Sequence, residues 1–140
     1  NIGNVGIGTD IPASKLFVNG NIQASGTITN GASDIRLKTI HSNITNPLNI
    51  IDNLNGFYYS YNELAKSYGF NDNNKEIGLS AQEVKEVLPE IVKIAPFDSD
   101  INHNSKSGDN YLTVSYERLV PVLIEAIKEL KKEINLLKEK

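Results

Sequence analysis

The chain has 140 residues, 39% hydrophobic and 22% charged, enough for one modest domain with an appendage and too few for a multidomain enzyme. It has no cysteine and only two histidines, His41 and His103, which removes disulfides, thiolate metal sites and histidine-rich metal clusters from consideration. A net charge of −3 argues against a nucleic-acid surface, which needs clustered Lys and Arg. No apolar run approaches the roughly 18 residues needed to span a bilayer, and no basic-then-apolar leader opens the chain, so a soluble protein with no membrane partner is expected.

Residues 1–32 hold Gly3, Gly6, Gly8, Gly20, Gly26 and Gly31, with Thr, Asn and short alternating apolar positions such as Val5, Ile7, Leu16, Val18, Ile22 and Ile28. This pattern predicts short strands and turns with too little apolar mass to fold alone. A phosphate-cradling loop is rejected, because no helix pattern follows the glycines and no Gly-Lys-Ser/Thr is present. The abrupt, repeat-like start predicts that the chain is the end of a longer polypeptide.

The composition changes at Ser33-Asp34-Ile35-Arg36-Leu37-Lys38, which holds a candidate nucleophile and a candidate base. A serine hydroxyl needs a neighbour to take its proton, and lysine does so only as the neutral amine. Bringing a free ammonium from roughly 10.4 to near 7 takes about 4 kcal/mol, from desolvation or from a nearby cation; Arg36 is one such cation. Five residues along a helix turn the two side chains roughly 140° apart, and five along a strand put them on opposite faces about 17 Å apart. A turn or a second subunit must therefore bring Ser33 to Lys38.

Further along, Ile44, Leu48, Ile51 and Leu54 predict a helix from about Pro47 to Asn55, with Gly56 as its C-terminal cap. Phe57-Tyr58-Tyr59-Ser60-Tyr61 reads as a strand with Glu76 to Leu79 as its partner and 62–75 as a loop. Its tyrosines are expected to pack on the helices and not to form a carbohydrate-stacking surface. Ser80-Ala81-Gln82-Glu83 is a capping box, in which the glutamate should reach back to the cap, opening a helix to Leu88 that Pro89 stops. Asp98, Asp100, Asn102 and Asp109 match part of a calcium-loop template, but His103 stands where glycine is required and Asp109 where glutamate is, so a solvated loop is preferred.

Tyr111 to Val114 reads as a strand, with Ser115 capping a final helix that begins at about residue 116 and is bent by Pro121. Val120, Ile127 and Ile134 alternate with Leu123, Leu130 and Leu137 in a heptad seam of nearly three repeats. Isoleucine at a with leucine at d would by itself favour a dimer. Lys128, Lys131, Lys132, Lys138 and Lys140 alternate with Glu129, Glu133 and Glu139, as on a solvated face.

Three blocks carry a family resemblance. They are Ser33-Asp34-x-Arg36-x-Lys38; Ile77-Gly78-Leu79-Ser80-Ala81-Gln82-Glu83-Val84 with Leu88-Pro89-Glu90-Ile91-Val92; and Val114-Ser115-Tyr116-Glu117-Arg118-Leu119-Val120-Pro121. In this order they resemble the C-terminal intramolecular chaperone domain of phage endosialidases and tail fibres, the self-cleaving S74 peptidases, and residues 1–32 resemble a fibre shaft. Related domains also occur in membrane-bound eukaryotic transcription factors; the shaft-like start favours a phage or prophage fibre.

The resemblance implies an α+β fold with a trimeric coiled coil at its end, residues 1–32 as stalk and 33–140 as chaperone. It also implies a homotrimer bound to the upstream fibre of its own polypeptide, assembled in the host cytoplasm as a virion fibre precursor. Autoproteolysis between Ala32 and Ser33 would use Ser33 and Lys38, with Asp34 and Arg36 in support and His41 as the fallback base. The trimer disagrees with the dimer preference of the seam, and the family reading takes precedence, since three stalk chains need a matching clamp. The alternative is a permanent, non-cleaving trimerisation cap. Nothing in the residues implies a cofactor or a metal.

Overall fold

The computed structural model describes residues 3–12, 14–29 and 31–139, and the expectations that touch Asn1, Ile2 and Lys140 lie outside them. The chain divides into two units, Asn1–Asn43 and Ile44–Lys140.

In the first unit, β1 (Val5–Ile7) pairs in parallel with β2 (Leu16–Val18), Val5 opposite Leu16 and Ile7 opposite Val18. Parallel neighbours ordinarily need a crossover of a dozen or more residues, and here residues 8–15 make the connection. Gly6 and Gly8 permit it: a Cβ on Gly6 would strike the Thr9 carbonyl, and Gly8 takes a φ of +70°. Val5, Ile7 and Leu16 are more than half exposed, so the pair has almost no core of its own.

The second unit is a small mixed assembly of helices and short strands with a long C-terminal helix. It begins with α1 (Pro47–Asp52), and proline suits a first turn, where no backbone donor is needed. The helix stops at Asn53, earlier than expected. Gly56 is not its cap but the first residue of β3 (Gly56–Tyr59), since the chain has already reversed at Asn53 and Leu54.

Strand β3 pairs antiparallel with β4 (Glu76–Leu79), Phe57 opposite Gly78 and Tyr58 opposite Ile77. Gly78 is required by close approach: a Cβ there would lie 3.0 Å from a Tyr59 ring carbon and 3.1 Å from the Tyr116 hydroxyl. That hydroxyl accepts the Leu79 N–H at 2.9 Å, tying the sheet to the segment before the last helix.

The expected loop between these strands contains α2 (Glu63–Ser67), capped by the Asn62 side chain, which accepts the Ala65 N–H at 3.0 Å, and laced by a Glu63–Lys66 ion pair. Ser80 caps α3 (Ala81–Val87), its hydroxyl accepting the Glu83 N–H at 3.3 Å. The reciprocal half of the capping box is not made. The Glu83 carboxylate instead accepts from the backbone and side chain of Asn55 at 3.4 Å, bridging α3 to the α1–β3 turn.

Strand β5 (Val92–Ile94), absent from the sequence expectations, pairs antiparallel with β6 (Leu112–Val114). Ser115 makes no side-chain cap. A 3-10 turn over Tyr116–Leu119 leads into α4 (Val120–Lys138), so Pro121 falls in the first turn of α4 and interrupts no helical hydrogen bond. Val84, Ile91 and Leu119 form the core, ringed by Leu54, Leu79, Leu88, Val92 and Val114; α4 packs on α1, and Val122 and Ala126 are its buried residues.

The aromatic residues pack chiefly on one another. Rings run from Phe57 through Tyr59, Tyr61 and Phe70 to Phe97, and Tyr68 and Tyr111 close on Phe97 at centroid distances of 4.9 and 5.5 Å. Burial, then a hydrogen bond with Tyr61, pushes the Tyr59 hydroxyl up to about 12. Tyr58 alternates to the other face and is 66% exposed, under the Lys75 ammonium.

The loop from Asp98 to Tyr111 is not merely solvated, because the Asp98 carboxylate is buried at its centre. It accepts from the Ser105 hydroxyl at 2.7 Å, the Ser107 N–H at 2.8 Å and the Tyr111 N–H at 3.1 Å. Asp100 likewise accepts from the Asn102 and Asn104 amides, so two of the three carboxylates of the calcium-loop match are engaged within the loop. Burial alone would raise the Asp98 pKa, but its hydrogen bonds outweigh that and hold it at about 2. Its stabilising effect is therefore complete above the unfolded carboxylate value of about 3.9 and is lost as pH falls toward 2. Urea unfolding should show a decline in stability between about pH 4 and pH 2. The decline should be shallower in Asp98→Asn, which should also be less stable at neutral pH.

Candidate active site

A short backbone reversal creates the site. The Leu37 and Lys38 N–H groups donate to the Asp34 and Ile35 carbonyls, each at 3.1 Å, and wind Ile35–Leu37 into a single 3-10 turn. Both flanks are extended, Asp34 at φ −63° and ψ 131° and Lys38 at φ −120° and ψ 138°. Ser33 and Lys38 therefore leave from the two arms of a bend. Lys38 Nζ donates to Ser33 Oγ at 2.9 Å. Neither regular element allows that contact at a spacing of five, and the turn supplies it within one chain, with no second subunit needed.

Asp34 caps the turn, its Oδ1 accepting the Arg36 N–H at 2.9 Å. The same carboxylate takes Arg36 Nε at 3.1 and 3.2 Å and Nη2 at 2.7 Å. The side-chain bonds from Arg36, then its backbone N–H, hold the Asp34 carboxyl below the usual range; the carboxylate in turn raises the guanidinium. Arg36 is thus a paired cation, and the idea that its free charge tunes Lys38 needs correction: Asp34 offsets that charge at contact distance. The capping role of Asp34 was not expected from the sequence, although an aspartate directly before Ile-Arg-Leu is an N-cap signal.

Ser33, Lys38, Ala32 and His41 are all exposed, and His41 makes no hydrogen bond to Ser33 or Lys38 among the described residues. The turn buries no residue, so nothing in this arrangement takes the Lys38 amine out of water.

The heptad positions are also plain in the structure. Val120, Leu123, Ile127, Leu130, Ile134 and Leu137 are all exposed, between 43% and 69%, while Val122 and Ala126 are the buried residues of α4. The helix therefore has two apolar faces: one is packed on its own domain, and the seam is left without a partner in the single chain. Among the described residues no helix is long and apolar enough to cross a membrane.

Comparison with known proteins places these features in a family. Residues 33–93 match the model of Peptidase S74, chaperone of endosialidase, and the match starts at Ser33 itself. The long tail fiber protein Gp37 of Enterobacteria phage K3 is 33% identical over 108 residues, covering 77% of this chain and 8% of that protein. Gp37 of Salmonella phage S16 is 30% identical over 110 residues, 79% of this chain and 14% of that protein. The myelin gene regulatory factor-like A protein of Dictyostelium discoideum is 32% identical over 144 residues, 99% of this chain and 15% of that protein. The chain thus spans less than a sixth of the length of each of these relatives. The matched segment opens on the serine that Lys38 contacts, and residues 33–93 carry the match to the chaperone of endosialidase family, Peptidase S74.

Proposed function

We propose that residues 33–140 are an intramolecular chaperone that registers three copies of the chain, helps the upstream segment to fold, and then cuts itself free between Ala32 and Ser33. The 2.9 Å contact between Lys38 Nζ and Ser33 Oγ carries this reading. In the reaction, the neutral Lys38 amine takes the hydroxyl proton as Ser33 Oγ attacks the Ala32 carbonyl carbon. The Ala32–Ser33 C–N bond breaks, the Ser33 nitrogen gains a proton, and an ester remains. Water then hydrolyses that ester, releasing the Ala32 carboxylate and a new amino terminus at Ser33. The enzyme is spent after one turnover on its own chain.

The contact also exposes what one chain lacks. Lys38 is exposed and donates to the hydroxyl, whereas a base must accept from it. Packing of three chains would desolvate the amine and favour its neutral form. The unpartnered seam of α4 supports such packing, with Ile127 and Leu130 at its centre and residues 1–32 as the stalk it clamps. The tail fibre relatives support a virion fibre upstream of this domain, and the proposal places its assembly in the host cytoplasm. A second setting has an observation of its own: the Dictyostelium alignment covers 99% of the chain, so the shaft-like start is not peculiar to fibres. A permanent, uncut cap is the competing function for either setting.

On a denaturing gel the expressed chain should yield two fragments, and Ser33→Ala and Lys38→Ala should each stay folded and uncut. Because the pair meets within one chain, mixing the two variants should produce no fragments; cutting in the mixture would mean that the dyad forms between subunits. Cutting by Lys38→Ala alone would move the base to another group such as His41.

Replacing both Ile127 and Leu130 with Asp would put like charges at the centre of a trimeric seam. Light scattering should then report monomer, and the monomer should not cut. A trimer of unchanged mass would take the seam out of the assembly.

A further inference from the structure

We propose that Asp34 is a positioning residue for the Ser33–Lys38 pair, acting through the cap it places on the intervening turn and not through any proton of its own. This rests on Ser33 and Lys38 being the reacting groups. All of the Asp34 side-chain hydrogen bonds go to Arg36, one from its backbone N–H and three from its guanidinium, and among the described residues none reaches Ser33 or Lys38. The carboxylate is therefore not in line to take a proton from either.

Its leverage comes from how little else holds the bend. The 3-10 turn is three residues long, buries nothing, and has two backbone hydrogen bonds of its own, both 3.1 Å. Such turns have poor hydrogen-bond geometry and are short for that reason. The cap adds a third bond, at 2.9 Å, to the N–H of Arg36 in the middle of the turn. The guanidinium folded onto the same carboxylate braces it from the other side. If the turn opens, its two arms separate and Lys38 leaves Ser33, since nothing but the bend brings residues five apart into contact.

Asparagine separates the two parts of this arrangement. Its amide oxygen caps as well as aspartate does, but it carries no charge to hold the guanidinium. The test compares the full chain with Asp34→Ala and Asp34→Asn, using Ser33→Ala as the uncut control. The rate of fragment appearance and the nuclear Overhauser effect between Ser33 β and Lys38 ε protons are measured on each. Asp34→Ala should cut more slowly, roughly fivefold for the loss of a typical cap, with a weakened Overhauser effect and an unchanged assembled mass. Asp34→Asn should recover most of the rate and the full proximity signal.

Wild-type cutting by Asp34→Ala with its proximity signal intact would overturn the proposal. So would Asp34→Asn being as slow as Asp34→Ala, which would assign the effect to charge and not to the cap. If the parent chain itself does not cut, the reaction reading fails. The proximity series still judges the cap: loss in the alanine variant and retention in the asparagine variant supports it, and retention in both overturns it.

Discussion

A side-chain contact between residues five apart requires the backbone to double back, and the proposed chemistry of Ser33 and Lys38 depends on that reversal. Ser33 and Lys38 have no catalytic value on a regular helix or strand, where they face different ways. Two 3-10 hydrogen bonds and the Asp34 cap bring them to 2.9 Å on an exposed bend. The reversal is local, encoded in six consecutive residues, and it asks nothing of the core of Val84, Ile91 and Leu119.

Local geometry is nevertheless insufficient for a lysine base, which must also be neutral. The turn leaves Lys38 exposed. Under the proposed mechanism, solvent exclusion has to come from assembly of several chains, for which the exposed α4 seam is the proposed contact. That helix packs on α1, buries Val122 and Ala126, and leaves Val120, Leu123, Ile127, Leu130, Ile134 and Leu137 exposed. Under the proposed mechanism, geometry is thus set within one chain and protonation state by the assembly. Under that mechanism the cut would stay silent until the chains are registered.

Much of the fold could be read from the sequence where a local rule acts alone. Strand β4 was legible as the partner of the aromatic strand, and the start of α3 from Ser80 as a cap. The sequence reading failed where tertiary partners override local rules. Glu83 was expected to close a capping box, but the Asn55 backbone and side chain compete for its carboxylate. Gly56 looked like a helix cap and opens a strand. Asp98 looked like part of a solvated loop, because nothing local reveals that Ser105, Ser107 and Tyr111 fold over its carboxylate. Elements as short as α2 and β5 give too little periodicity to stand out, although Asn62 is a visible cap. At the site, the five-residue spacing of Ser33 and Lys38 already required a turn for the two to meet, but it did not reveal that Asp34 pairs with Arg36 and caps that turn.

The central claim is that cutting at Ser33 waits for the chains to assemble. The most direct measurement refolds the full chain over a range of concentrations and follows cleavage by intact mass alongside oligomer mass. Coupling predicts a fragment beginning at Ser33 whose appearance follows trimer formation, with a lag that lengthens on dilution. A fragment that appears at the same rate at every concentration, or before any oligomer forms, would contradict it.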